Sequence, residues 1–229
     1  MNRHSTRFCA PALAAAALFA SAGAHAQASF QASLAAFQLA STTALEADFE
    51  GLLVEGNINN PYTEGRVTFS EPSNLYVALP GGAAALQDFD APVTSNVLTV
   101  SGNEDITMTF SGPAPTAVGF TSLTNRFDAP VVTVFDTANT LIGTYVLTQG
   151  PGTVGFVGIT SSVGIGSVRW LADRGGIKDT AIDNIYVGVS AVPEPHTYAL
   201  MLAGLAVTGA LARRRATKPI TPRPASISA

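Results

Sequence analysis

The sequence predicts an all-β fold for the central part of the chain, an antiparallel β-sandwich or jelly roll of about ten short strands. Short runs rich in β-branched and aromatic residues recur, and Gly, Pro, Asn and Asp separate them about every 8–12 residues. No helical pattern of about ten or more residues is convincing between these runs, which disfavours a parallel βαβ architecture. No repeat of fixed period is visible, which disfavours a propeller or a solenoid.

The strands follow one another from residue 65 onwards. The segment Gln27 to Leu45 is ambiguous, because its apolar residues among alanines fit a helix or a first strand. The four residues Thr137–Thr140 between two apolar runs predict the clearest hairpin. We expect strands over 65–70, 74–79, 97–100, 105–111, 117–123, 131–136, 141–148, 153–159, 165–171 and 181–189.

The first 26 residues have the three parts of a secretory signal peptide. A positively charged start precedes an apolar stretch over 8–19, and Ala24 and Ala26 form a small-x-small cleavage site before Gln27. We therefore expect the domain 27–190 to be exported. Its 164 residues are enough for one domain with its own hydrophobic core.

A second segment with three parts occupies residues 191–215. It begins with Val192, Pro193, Glu194 and Pro195, where each proline keeps the residue before it extended. An uncharged apolar run follows over 197–212, and a helix of this length would measure about 24 Å, slightly short of the roughly 30 Å hydrocarbon core. The basic block Arg213, Arg214 and Arg215 would stay cytoplasmic, which leaves the preceding domain outside.

The order of a Val-Pro-Glu-Pro element, an apolar helix and an arginine cluster resembles the PEP-CTERM sorting signal of Gram-negative bacteria. The resemblance covers about Val192 to Arg215. It implies that a membrane-embedded cysteine protease, exosortase, recognises the chain. It also implies a destination in the cell envelope or in an extracellular polysaccharide matrix. Unlike the usual signal, the chain continues past the arginines with a Pro-rich tail over 216–229, which we expect to be disordered.

The composition of the exported domain excludes several kinds of chemistry. Its 15 acidic and five basic residues give a net charge of about −10, which disfavours nucleic acid and anionic lipid surfaces as partners. All three histidines and the single cysteine lie outside residues 27–190. The domain therefore lacks the residues for a Ser-His-Asp or Cys-His catalytic site, for an ordinary Cys/His metal site and for a disulfide. We expect that it is not an enzyme.

Two kinds of carboxylate chemistry stay open. Asp88 and Asp90 would share one face if 87–90 is extended, and Asp105 adjoins a strand, so a carboxylate-dependent hydrolase is an alternative. The same residues with Asp183 are candidate calcium ligands, and calcium is the one cofactor that we consider. The simpler interpretation of Asp183-Asn184 is a strand-start or turn residue that bonds its own backbone.

Aromatic residues raise a further possibility, a platform on which sugars stack. We favour Trp170 as a core residue, because it lies in a strand beside Val168 and Leu171. The other candidates for such a platform are Tyr62, Tyr76, Tyr145 and Tyr186.

The second half of the domain also resembles, more loosely, the β-sandwich ectodomains of PEP-CTERM proteins. They in turn resemble lectin-like and carbohydrate-binding jelly rolls. The resemblance rests on Phe135–Thr140, Phe156–Ile159, Ile165–Arg169 and Ala181–Gly188. It implies no specific binding residues.

These observations predict an exported protein of the cell envelope or extracellular matrix. It would first be anchored in the inner membrane facing the periplasm, and processing would then bring it to the cell surface or matrix. Its expected partners are the membrane, an exosortase-like protease and an extracellular polysaccharide. The alternative molecular function is carbohydrate binding, with or without calcium.

Overall fold

The computed structural model describes residues 28–87, 89–100, 105–124, 129–149, 152–171, 180–191 and 200–209. The described residues between 28 and 190 form fourteen strands and two short helices. In chain order they are β1 (Ala28–Gln31), α1 (Leu34–Ala40), β2 (Ser41–Ala47), β3 (Gly56–Asn57), β4 (Tyr62–Glu64), β5 (Val67–Ser70), β6 (Leu75–Ala78), α2 (Ala83–Gln87), β7 (Val97–Val100), β8 (Ile106–Phe110), β9 (Ala117–Leu123), β10 (Val131–Asp136), β11 (Leu141–Val146), β12 (Val154–Ser161), β13 (Ile165–Leu171) and β14 (Ala181–Ser190).

These strands form two antiparallel sheets, so the predicted β-sandwich is confirmed. The eight-stranded sheet has the order β1-β12-β9-β14-β7-β6-β3, with β2 also paired to β14. The six-stranded sheet has the order β11-β10-β13-β8-β5-β4. Each of the ten predicted strands is present. The estimate of about ten strands was too low, because β1 to β4 were not recognised as strands.

The segment left ambiguous between Gln27 and Leu45 contains both kinds of structure, β1, then α1, then most of β2. Helix α1 begins where the Ser33 hydroxyl accepts a hydrogen bond from the Ala36 N–H at 3.2 Å. It ends at Ser41, whose hydroxyl donates to the Phe37 carbonyl at 2.6 Å. About two turns of helix therefore lie between two extended segments.

The main hydrophobic core lies between the two sheets. Trp170 is fully buried in it, with its ring centroid 5.8 Å from that of Phe120 in an edge-to-face arrangement. The indole N–H donates to the Thr180 hydroxyl at 3.2 Å, so its one polar atom is paired. The prediction that Trp170 is a core residue is confirmed.

The outer face of the eight-stranded sheet is covered in two places. The connection between β6 and β7 contributes Ala84 and Ala91 to a second, smaller cluster, which includes Val97, Leu123 and Ala181 of the sheet. The fully buried Phe37 of helix α1 packs against Gly119 and Gly158 of the sheet. A Cβ on either glycine would lie within 2.8 Å of the Phe37 side chain, so only glycine permits this approach.

The last strand of the sandwich, β14, is held on both sides. It pairs with β9 and β7, and from Ile185 to Ser190 it also pairs with β2. One residue beyond the strand, the Ala191 N–H donates to the Ala40 carbonyl at 2.7 Å. The chain is therefore hydrogen-bonded to the sandwich up to residue 191.

The predicted membrane helix over 197–212 is not confirmed. The described residues 200–209 are helical, with exposed apolar side chains such as Leu200 and Leu205. Among the helices in the described ranges, none has the length and apolar character needed to span a bilayer.

Candidate functional site

The outer face of the six-stranded sheet is dominated by hydroxyl groups. In each of its central strands, buried core residues alternate with partly or fully exposed residues that point away from the core. We call the Ser and Thr side chains on this outer side, together with Phe135 and Arg169, the hydroxyl face. Its hydroxyl members are Thr63, Thr68, Ser70, Thr107, Thr109, Thr133, Thr144 and Ser167.

The strand register places these side chains in two rows across the sheet. The first row runs through Thr63, Thr68, Thr109, Ser167 and Phe135, and the second through Ser70, Thr107, Arg169, Thr133 and Thr144. Neighbouring members of a row lie about 4.8 Å apart, and the rows are separated by about 6.7 Å along the strands. The result is a regular grid of short polar groups.

Arg169 is the cation of this grid. Its guanidinium carbon lies 4.5 Å from the centroid of the Phe135 ring, on the neighbouring strand β10. The two acidic residues within these six strands lie away from the grid. Glu64 accepts hydrogen bonds from Asp48 and Phe49, and Asp136 accepts hydrogen bonds from its own turn.

Thr133 has an unpaired hydroxyl oxygen. Its Oγ1 atom is buried and has no hydrogen-bond partner among the described residues. In the register Thr133 lies directly between Arg169 and Thr144. A buried polar group without a partner is unfavourable by about 1–3 kcal/mol, so an oxygen or N–H group brought to this place would gain a hydrogen bond.

A second polar site surrounds Asp183, inside β14. The residue after it, Asn184, has φ of +50°, a left-handed conformation that Asn tolerates better than most residues. The pairing of β14 with β9 shifts between Asp183 and Tyr186. This β-bulge turns Asp183 to the outer side of the sheet while Ile182 and Ile185 both stay in the core.

Asp183 is only 1 % exposed, but its carboxylate has three donors. The Ser95 hydroxyl donates to Oδ2 at 2.6 Å, and the Asn184 backbone N–H and side-chain amide donate at 2.6 Å each. Burial raises the pKa of Asp183 to about 6, although the bonds from Ser95 and Asn184 act in the opposite direction. Asp183 lines a cavity of about 110 Å³ whose other walls include Thr94, Ser95 and Thr121.

The proposed calcium ligands are not brought into one group in the described part of the chain. Asp88 lies outside the described residues, and Gln87 before it ends helix α2, so 87–90 is not extended throughout. Asp90 is exposed, and neither it nor Asp105 lines the cavity of Asp183. Among the described residues no three His, Cys, Asp or Glu side chains form a group that could hold a metal. Calcium binding stays a prediction.

The four tyrosines do not form a shared platform. Tyr62 packs at the edge of the main core, and burial and its hydrogen bond to Glu64 raise its pKa to about 12. Tyr145 stacks on Phe30 at 5.0 Å between ring centroids. Tyr186 contacts Phe156, and Tyr76 packs against the small outer cluster. Each ring therefore has a structural contact of its own.

The residues of the targeting segments lie outside the described residues. These are Ala24, Ala26 and Gln27 at the signal cleavage site, Val192, Pro193, Glu194 and Pro195 of the Pro-Glu-Pro element, and Arg213, Arg214 and Arg215 of the basic block.

The hydroxyl face was missed from the sequence. The alternation Ile106-Thr107-Met108-Thr109 shows that one strand presents threonines to solvent. Which other strands lie beside it depends on pairings between segments far apart in the chain, such as β5 with β8 and β8 with β13. Local pattern carries no information on those pairings.

Comparison with known proteins identifies a family motif in one part of the chain. Residues 191–216 match the family model of the PEP-CTERM protein-sorting motif. No curated protein matches the chain. Among solved structures, the chain is similar to the Family 11 Carbohydrate-Binding Module of cellulosomal cellulase Lic26A-Cel5E of Clostridium thermocellum. The identity is 14 %, the TM-score is 0.34, and the match covers 69 % of this chain and 99 % of that one.

The motif match agrees with the order of elements that the sequence shows between Val192 and Arg215. The chain therefore carries a PEP-CTERM protein-sorting motif at residues 191–216.

Proposed function

We propose that this is an exported protein of the cell envelope or extracellular matrix, retained at the inner membrane through its C-terminal segment and then processed by an exosortase-type protease. The observation that carries the proposal is the sorting motif at residues 191–216. An N-terminal segment with the composition of a signal peptide supports it, because both ends then direct residues 27–190 out of the cytoplasm.

The strand arrangement is compatible with release of an intact domain. Strand β14 is complete at Ser190, and its last described contact to the sandwich is the bond from Ala191 to Ala40. Cleavage at any bond after Ala191 would remove no described strand and no described core residue. The sorting segment can therefore be lost without loss of the described fold.

We propose further that the exported domain acts by binding and not by catalysis. Residues 27–190 contain no His and no Cys, which removes the usual nucleophile and base pairs. The cavity of Asp183 has no second acid among its described lining residues, and a two-carboxylate hydrolase needs two. The carboxylate of Asp183 is instead engaged by Ser95 and Asn184.

The export proposal can be tested with an epitope tag in the turn between β10 and β11. Ala138 and Asn139 are exposed there, and no strand pairing is interrupted. We expect antibody to reach this tag from outside the cytoplasmic membrane in spheroplasts. A tag accessible only after membrane permeabilisation would overturn the proposal. A tag within β14 is unsuitable, because residues up to Ser190 pair with β2.

A second candidate function, binding of an extracellular polysaccharide, is favoured by the hydroxyl face. Sugars present many hydroxyl groups, and each Ser or Thr hydroxyl of the grid can donate one hydrogen bond and accept others. The test is affinity electrophoresis of the exported protein through gels that contain soluble polysaccharides, with calcium or with EDTA. Retardation supports binding, and a loss of retardation in EDTA supports calcium dependence. Unchanged mobility in every gel would contradict this function.

A further inference from the structure

We infer that the hydroxyl face binds a largely neutral polysaccharide that carries isolated carboxylate groups, and that Arg169 anchors one such carboxylate. The inference rests on the proposed polysaccharide binding and adds the ligand class and the anchoring residue. Three observations carry it: the position of Arg169, the net charge of the domain and the unpaired oxygen of Thr133.

Arg169 is placed and oriented for an anion. It lies in the middle of the second row, between Thr107 and Thr133, with its guanidinium stacked 4.5 Å from the Phe135 ring centroid. Stacking limits the conformations of a long side chain and leaves its N–H groups at the edges of the plane. A planar guanidinium matches a carboxylate through two parallel hydrogen bonds.

The domain contains 15 acidic residues against five basic ones, yet neither acid of the six strands, Glu64 or Asp136, belongs to the two rows of the hydroxyl face. With three acidic residues for each basic one, a basic side chain on the surface of this domain would ordinarily lie near a carboxylate. The face therefore presents a positive centre surrounded by neutral hydroxyls, which is complementary to a single negative group surrounded by neutral sugar hydroxyls.

The net charge of about −10 argues against a densely charged polymer. Charges beyond a Debye length of about 8 Å are largely screened at physiological salt, so a carboxylate at Arg169 is governed by its immediate surroundings. Six strands at a spacing of about 4.8 Å make the face about 24 Å wide. A uronate on every sugar would place several further negative groups along this width, where Arg169 is the one basic residue within the six described strands.

The neutral sugars on either side of the carboxylate would contact the hydroxyl rows. Thr63 and Thr68 already share a hydrogen bond at 2.9 Å, and either oxygen can donate, so this pair adapts to a donor or an acceptor. Thr133 Oγ1, beside Arg169, is buried and unpaired. A ligand hydroxyl that reached it would satisfy this oxygen.

Binding of the exported protein to three polysaccharides of increasing charge density tests the inference. Dextran is neutral, and the repeat of gellan carries a single glucuronate among neutral sugars. In alginate every sugar is a uronate. We expect the tightest binding to gellan. Arg169→Gln should weaken gellan binding about tenfold or more, as expected for loss of a charge-assisted pair. Arg169→Lys keeps the positive charge but cannot form two parallel hydrogen bonds with a carboxylate. Its affinity for gellan should therefore lie between those of Arg169→Gln and wild type.

Arg66→Gln is the matched control, since it removes the same charge from an arginine that donates to the Ser111 and Pro113 carbonyls at the end of the sheet. It should leave gellan binding within about twofold of wild type. Thermal unfolding of each variant separates loss of binding from loss of fold.

The outcomes separate the two claims. Equal binding of dextran and gellan, insensitive to Arg169→Gln, would overturn the anchoring role and leave the proposed polysaccharide binding standing. Tightest binding to alginate would overturn the preference for isolated carboxylates. Binding of none of the three polysaccharides would overturn this inference, and if retardation also failed with polysaccharide from the cell's own matrix the proposed binding would fall as well.

Discussion

The backbone N–H of Ala191 donates to the carbonyl of Ala40 at 2.7 Å, directly before the Pro-Glu-Pro element begins at Val192. Between these points and the described helix at Leu200 lie eight residues, 192–199. A fully extended chain of that length spans at most about 29 Å. Eight residues of sequence thus separate the sandwich from the described helical residues 200–209, and β2 and β14 hold the chain up to residue 191.

The pairing of β2 with β14 predicts a sensitive position at Gly188. A Cβ there would lie 2.1 Å from the Thr42 carbonyl oxygen, which is a backbone atom that cannot move alone. We expect Gly188→Ala to lower the free energy of unfolding by about 1–3 kcal/mol, measured by urea denaturation. Gly51→Ala is the control, because nothing lies within 4 Å of a Cβ at that position and it should change stability little. Equal stability of both variants would contradict the observed approach of the two strands.

Asp183 predicts a dependence of stability on pH with a definite sign. Its pKa is about 6 in the folded protein and 3.8 in the unfolded chain, so the folded state keeps the proton longer as pH rises. The ionised carboxylate disfavours the folded state, so this group contributes least to stability above about pH 6. We expect the free energy of unfolding to fall by up to about 3 kcal/mol between about pH 4 and pH 6 on account of this group.

Asp183→Asn should remove that part of the pH dependence, because an amide does not titrate in this range. The measurement is urea denaturation at several pH values between 4 and 7 for wild type and variant. Asp90→Asn, at an exposed position, is the control and should keep the wild-type slope. A wild-type stability that rises from pH 4 to 6, with the same slope in Asp183→Asn, would show that burial does not raise this pKa.

Helix α1 predicts a large contrast between two residues that are two positions apart. Phe37 is fully buried against Gly158 and lies 5.5 Å from the Phe156 ring centroid, whereas Leu39 is 87 % exposed. Phe37→Ala should lower the free energy of unfolding by about 3–5 kcal/mol. Leu39→Ala should change it by no more than about 0.5 kcal/mol. Similar losses in both variants would mean that α1 is not seated on the sheet as described.

The fold was predictable from the sequence where a strand carried its own pattern. Alternation over Ile106–Phe110 and the Thr137–Thr140 turn located β8 and the β10–β11 hairpin. Strands β3 and β4 have two and three residues, too few for an alternation to be seen, and they exist because β6 and β5 pair with them. Whether such short segments are strands depends on their pairing with other segments, and the residues of the short segment alone do not predict that pairing.

The environment of Asp183 likewise could not be predicted from the local sequence. The simpler expectation is a strand-start or turn aspartate that bonds its own backbone, and the bond from the Asn184 N–H is indeed present. The residue nevertheless lies inside a strand and is buried. The bulge at Asn184 and the hydroxyl of Ser95, 88 residues earlier in the chain, create that environment. Neither is visible in the local sequence around Asp183.

The central claim is that the C-terminal segment is a sorting signal that is removed after export. The most direct measurement is the intact mass of the protein purified from cells that contain an exosortase-type protease and from matched cells that lack it. With the protease, we expect a chain that ends near Pro195 and lacks Arg213–Arg215. Without it, the chain should extend through the arginines. A mass that includes the arginine block in both kinds of cell would contradict the account.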